Sequence, residues 1–159
     1  LGEAWRRARR VGGGMKARCT LRQIIGDRTL HHTAPDAPLS EAAAVMAEHG
    51  VGAVAVLSGE TLEGILSERD IVFRSVAQGH DPSRTPVADA MTRAPVTVDI
   101  DDPISDALAA KLGDRFRHLP VMDAGRVFGL LSNREIPPEY VTMFERFREM
   151  AAADPATEF

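Results

Sequence analysis

Two serine and acid pairs recur at one spacing in this chain: Ser67 with Asp70 in "GILSERD" and Ser132 with Glu135 in "GLLSNRE". In each, a glycine (Gly64, Gly129) precedes the serine and an arginine (Arg69, Arg134) stands just before the acid. A hydroxyl and a carboxylate three residues apart at a helix start have two uses. As a capping box, the hydroxyl accepts from a free backbone N–H while the acid reaches back to the serine's own N–H. As a ligand site, the free N–H groups and partial positive charge of the helix start suit a phosphate, and the carboxylate matches the paired hydroxyls of a ribose. The glycine then allows backbone and ligand to approach closely. Arg69 and Arg134 either neutralise phosphate charge or lie on a solvated helix surface.

The elements that must position these groups are themselves duplicated. At a constant offset of 65, without a gap, Pro38 falls on Pro103, Ser40 on Ser105, Ala42 on Ala107, Val56 on Val121 and Ile71 on Ile136. Each half opens with a short extended piece ("LHHTA", "VTVDI") and an Asp or Asp-Pro turn. A helix follows, with Leu39, Ala42, Ala43 and Met46 in the first half and Ile104, Ala107, Leu108 and Leu112 in the second. Two apolar strands come next, then a helix opening at Ser67 or Ser132. The prediction is an α/β (α+β) fold of two pseudo-symmetric β-α-β-β-α repeats packed sheet to sheet, with two related clefts at the seam. Boundaries are expected at 1–14 (basic extension), 15–82 (first repeat), 83–94 (linker with a short helix around Val87 to Met91), 95–150 (second repeat) and 151–159 (tail).

Composition narrows the partners. The 159 residues carry a formal net charge of −4, which argues against a nucleic-acid binder held by a broad positive field. The single Cys19 cannot make an internal disulfide, and no apolar run reaches the ~18 residues of a membrane span. A cytoplasmic protein is the expectation. Residues 1–14 hold four arginines and three glycines and are expected to be an upstream extension before Met15; an arginine arm for nucleic acid is the alternative. His31, His32 and Asp36 do not suggest a metal site, because adjacent histidines on a strand point to opposite faces. Nor does His118 have a partner acid that would make it a proton-transfer group. No catalysis and no metal are expected. Near the end, Tyr140, Met143, Phe144 and Phe147 form one helical stripe, for packing on the own domain, for contact between chains, or for both.

The segments "GVGAVAVLSGETLEGILSERDIV" and "RFRHLPVMDAGRVFGLLSNREI" resemble the CBS domain, named for cystathionine beta-synthase, in tandem as a Bateman module. The resemblance covers about residues 20 to 150. It implies a stand-alone regulatory module and not an enzyme. The implied ligand is AMP, ADP or ATP, with S-adenosylmethionine or NAD as alternatives, and no cofactor is required. The first site it implies comprises Ser67, Arg69, Asp70, Ala53, Met91, Val96 and Arg117, with His118 beside the phosphate path. Asp70 takes the ribose there. Its second site comprises Val51, Ser132, Arg134 and Glu135, and ranks behind the first, because Glu135 replaces an aspartate and Pro137-Pro138 disfavour helix just before them. A homodimer and an unknown regulated protein are the implied macromolecular partners, with neither nucleic acid nor membrane. A structural dimerisation or adaptor module without ligand, in which Ser-x-x-acid is only a helix cap, stands as the alternative.

Overall fold

The structure is a computed structural model that describes residues 20–102, 117–136, 138, 141, 142 and 146. The order of elements runs α1 (Leu21–Ile25), β1 (His32–Thr33), α2 (Leu39–His49), β2 (Ala53–Ser58), β3 (Thr61–Ser67) and α3 (Glu68–Arg74). It continues with α4 (Val87–Ala90), β4 (Thr92–Arg93), β5 (Val98–Asp99), β6 (His118–Asp123) and β7 (Arg126–Ser132). The expected helix carrying Ile104, Ala107, Leu108 and Leu112, the late stripe from Tyr140 to Phe147, and residues 1–14 lie outside the described residues. Val141 packs on the second core.

α2 forms because Leu39, Ala42 and Met46 recur at helical spacing and bury one face, and it stops at Gly50, whose φ of 63° is the left-handed conformation that glycine tolerates. The strands form two sheets, ordered β1-β2-β3-β4 and β5-β6-β7. Their registers repeat at the sequence offset: Ala53 pairs with Ser67 and His118 with Ser132, Val56 with Gly64 and Val121 with Gly129. Even the irregularity recurs, between Val56 and Leu57 and between Val121 and Met122. β2 and β3 contact β7, so the sheets meet at the seam expected of a duplicated unit. Val54, Ala55 and Val56 are all fully buried, as required of a strand covered on both faces.

The two cores do not follow the sequence halves. α4, in the segment between the repeats, gives Val87 and Ala90 to the core of the first, while α1, at the start of the first repeat, gives Leu21 and Ile25 to the core of the second. Each fully buried Leu, Ile or Val contributes about 1.5 to 3 kcal/mol, so this exchange ties the repeats together. Arg22 adds a crossing, its backbone N–H donating to Ile100 O at 3.1 Å and its guanidinium pairing with Asp101 and Asp123.

One element differs from expectation. The helix at Ser132 is a single 3₁₀ turn, Asn133–Glu135, and Ile136 is already extended at φ −83° and ψ 118°. Pro137 and Pro138 explain it: a residue before proline is pushed out of the helical region, and neither proline can donate a backbone bond.

Candidate ligand clefts

Both serine and acid pairs sit where a strand ends at the seam. Ser67 closes β3 and caps α3: its Oγ accepts from Asp70 N at 3.3 Å, while Asp70 Oδ2 accepts from Ser67 N at 2.9 Å and Ser67 Oγ at 2.6 Å. Asp70 Oδ1 lies 3.4 Å from Arg74 Nε. Ser132 closes β7, and its N–H donates to Glu135 Oε2 at 2.7 Å. Arg28 pairs with Glu135 Oε1. The capping box is thus real in both copies, and each acid also holds an arginine.

Around Asp70 lies a small cleft of about 180 Å³, lined by Ile65, Ser67, Arg69, Asp70, Thr92, Pro95, Val96, Arg117 and His118. Around Glu135 lies a cleft of about 1050 Å³, large enough for a nucleotide. Its walls include Leu30, His31, Gly52, Ala53, Leu130, Ser132, Arg134 and Glu135. Those eight residues are the offset-65 counterparts of eight that line the small cleft, Pro95, Val96, Arg117, His118, Ile65, Ser67, Arg69 and Asp70. The clefts are therefore two versions of one site, each closed by residues of the opposite half.

The structure brings most of the sequence-derived residues together and moves two. Ser67, Arg69, Asp70, Val96, Arg117 and His118 share the small cleft; Val51, Ser132, Arg134 and Glu135 share the large one. Ala53, assigned to the first site, lines the large cleft, because its place in β2 is the counterpart of His118 in β6. Met91, also assigned to the first site, is 5% exposed and belongs to the first core, where α4 carries it against Gly64. The glycines also act differently from expectation. A Cβ at Gly64 would stand 2.7 Å from Thr92 O and 2.8 Å from Met91 Sδ, and one at Gly129 3.1 Å from Ile25 Cγ2, so both admit the protein's own chain and not a ligand. Sequence reasoning did not reach Arg28, Leu30, His49, Gly52 or Glu68, and it weighed His31 only as a metal ligand. Subtracting 65 from Pro95, Val96 and Arg117 points to Leu30, His31 and Gly52; nothing local marks Glu68 or His49.

The charge pattern favours an anion. Arg28, Arg117 and Arg134 face Glu68 and Glu135 in the large cleft; Arg69 and Arg117 face Asp70 in the small one. Arg69 also lies over the Phe73 ring, 5.1 Å from its centroid. His118 lines both clefts, and a Cβ on Gly52 would be 3.5 Å from its Nε2, so Gly52 leaves it room. Burial holds His118 below its ordinary pKa; Glu68 and Asp70 pull it up, and Arg117 and Arg134 push it down. His31 stacks on His49 with centroids 4.0 Å apart and is also lowered, by burial and then by His49 and His32. Among the described residues, no group of three or more His, Cys, Asp or Glu could hold a metal ion, and no helix is long and apolar enough to cross a membrane.

A duplicated register, a sheet seam and two matching clefts meet their counterpart in one known family, because the model of the CBS domain matches residues 23–77 and again 87–136. The chain belongs to the CBS-domain family. CBS domain-containing protein YhcV of Bacillus subtilis (strain 168) is 34% identical over 98 residues, 62% of this chain and 69% of that protein. CBSCBSPB2 of Arabidopsis thaliana is 35% identical over 109 residues, 68% of this chain; the match spans only 20% of that longer protein. Among solved structures, a protein with CBS domains from Burkholderia ambifaria MC40-6 superposes with a TM-score of 0.71 at 29% identity, covering 78% of this chain and 95% of that one. CBSX2, solved in complex with AMP, superposes with a TM-score of 0.59 at 25% identity, covering 72% and 90%. A tandem pair of CBS domains is thus what the resemblance in sequence implies.

Proposed function

We propose that this tandem CBS module is a regulatory sensor that binds an adenosine nucleotide in the clefts between its repeats and passes the bound state to a partner protein or a second copy of itself. The observation that carries the proposal is the pair of matching clefts, each placing a serine, an arginine and an acid of one repeat against a dipeptide of the other. Closing around a ligand there changes how the repeats sit, and ligand shifts that equilibrium by its differential affinity for the two arrangements. AMP in the CBSX2 structure supports the ligand class. The surplus of arginine over carboxylate favours AMP, ADP or ATP over S-adenosylmethionine, which carries a cationic sulfonium. The role is regulatory and not catalytic.

A purely structural module is the second proposal, favoured by one observation: both acids already serve caps and arginines. Thermal unfolding with AMP, ADP, ATP, S-adenosylmethionine and NAD at about 1 mM separates the two. A ligand at 100 times its dissociation constant adds about 2.7 kcal/mol and raises the midpoint. No shift with any of the five leaves the structural module standing.

A further inference from the structure

We propose that Arg28 is a specificity-determining residue of the large cleft, selecting phosphate-bearing adenosine ligands over the neutral nucleoside by pairing with Glu135 when no phosphate is present. The proposal rests on the adenosine-ligand function above and names the ligand class of one of its two clefts.

The two acids keep different arginines. Asp70 is paired with Arg74 one turn along its own helix, and Arg74 is fixed there: Nη1 donates to Ala90 O at 2.9 Å, to Met91 O at 3.0 Å and to Thr92 Oγ1 at 3.4 Å. That arginine is part of the scaffold. The second copy has no such residue, since position 139, the counterpart of 74, is a glutamate and Pro137-Pro138 intervene. Arg28 fills the role from outside the serine and acid motif, on the irregular segment between α1 and β1, and its Nη2 also donates to Ile24 O at 3.2 Å. Its side chain is 49% exposed and lines the cleft, with guanidinium donors to spare.

Glu135 meanwhile has Oε2 held by Ser132 N–H, and Oε1 faces Arg28. A ribose that approaches Oε1 from the cleft competes with the guanidinium for it. Adenosine brings only neutral hydroxyls and has nothing to offer a displaced arginine. A nucleoside phosphate brings a dianion that meets the guanidinium in a fork, so Arg28 exchanges one anion for another and Glu135 is released to the ribose.

The test titrates AMP and adenosine by calorimetry into full-length Asp70→Asn, which isolates the large cleft, and into Asp70→Asn/Arg28→Gln. The AMP-to-adenosine affinity ratio is expected to fall about tenfold on loss of Arg28, with adenosine binding unchanged or tighter; Arg28→Lys, which keeps the charge without the fork, should fall between. Equal weakening of both ligands would make Arg28 merely structural and overturn the proposal, as would an unchanged ratio. If the Asp70→Asn protein binds neither ligand, the proposal also falls. In that case AMP binding by wild type decides whether the wider function survives without it. Thermal midpoints of the variants within a few degrees of the parent establish that each is folded, and Arg28→Ala repeats the test should Gln fail to fold.

Discussion

The equivalent glycines Gly64 and Gly129 offer the sharpest test of how the fold positions the clefts. Replacing Gly64 by Ala puts a methyl group 2.7 Å from Thr92 O and 2.8 Å from Met91 Sδ. The carbonyl cannot retreat cheaply, because Thr92 is paired with Ile65 in the β3/β4 ladder and its hydroxyl accepts from Arg74. The expected cost is the upper part of the overpacking range, about 2 to 3 kcal/mol. At Gly129 the same methyl meets Ile25 Cγ2 at 3.1 Å, a milder overlap that a shift of a few tenths of an ångström relieves. Alanine also restricts the unfolded chain, worth about 0.4 to 1 kcal/mol, so Gly129→Ala should be close to neutral. With about 2 to 4 °C per kcal/mol for a chain of this size, calorimetry should show Gly64→Ala melting roughly 4 to 12 °C lower and Gly129→Ala within about 2 °C of wild type. Displacement of Thr92 should also weaken ligand binding in the small cleft. Equal midpoints for the two variants would refute the steric account of β4.

Asp70→Asn keeps one acceptor for Ser67 but loses the charge at the helix start and the Arg74 pair, so a stability loss of about 1 to 2 kcal/mol is expected in thermal unfolding, with a far larger loss, about 100-fold, in AMP affinity of the small cleft by titration calorimetry. Because His118 is held below its ordinary value of about 6.5, the unfolded chain takes up the proton first as pH falls; stability should be full above that value and decline below it, and His118→Asn should flatten the decline in urea midpoints measured from pH 7.5 to 5. His31, lowered in the same direction, will leave a remainder. Val72, Phe73 and Val76 are 51%, 58% and 55% exposed on α3 and the turn after it; if this face pairs two copies of the chain, Phe73→Glu should lower the assembly mass in light scattering, and an unchanged mass would rule this face out as the contact.

The duplication was legible because strand registers follow the chain directly: a constant offset in sequence became a constant offset in pairing, from Thr33 with Val56 to Val98 with Val121. Capping at Ser67 was legible for a similar reason, being local to four residues. What was hidden depends on elements meeting across the seam. Leu21 and Ile25 fall within the span expected for the first repeat, and only packing assigns them to the second core. The family resemblance put Met91 in the first site, but α4 turns it inward against Gly64. Arg28 had no mark beyond an arginine at its counterpart, Arg93, since ion pairing with Glu135 joins residues more than a hundred positions apart. The truncated helix at Ser132 was foreshadowed by Pro137-Pro138, whose effect on backbone geometry is local.

The claim that the paired clefts are nucleotide sites is tested most directly by titrating AMP into wild type and into Asp70→Asn/Glu135→Gln, with circular dichroism to establish that the double variant is folded. Saturable binding to wild type that is lost in the folded double variant is the predicted result. Undiminished binding to the double variant would place the ligand elsewhere, and a flat wild-type titration would leave the repeated serine and acid pairs as helix caps alone.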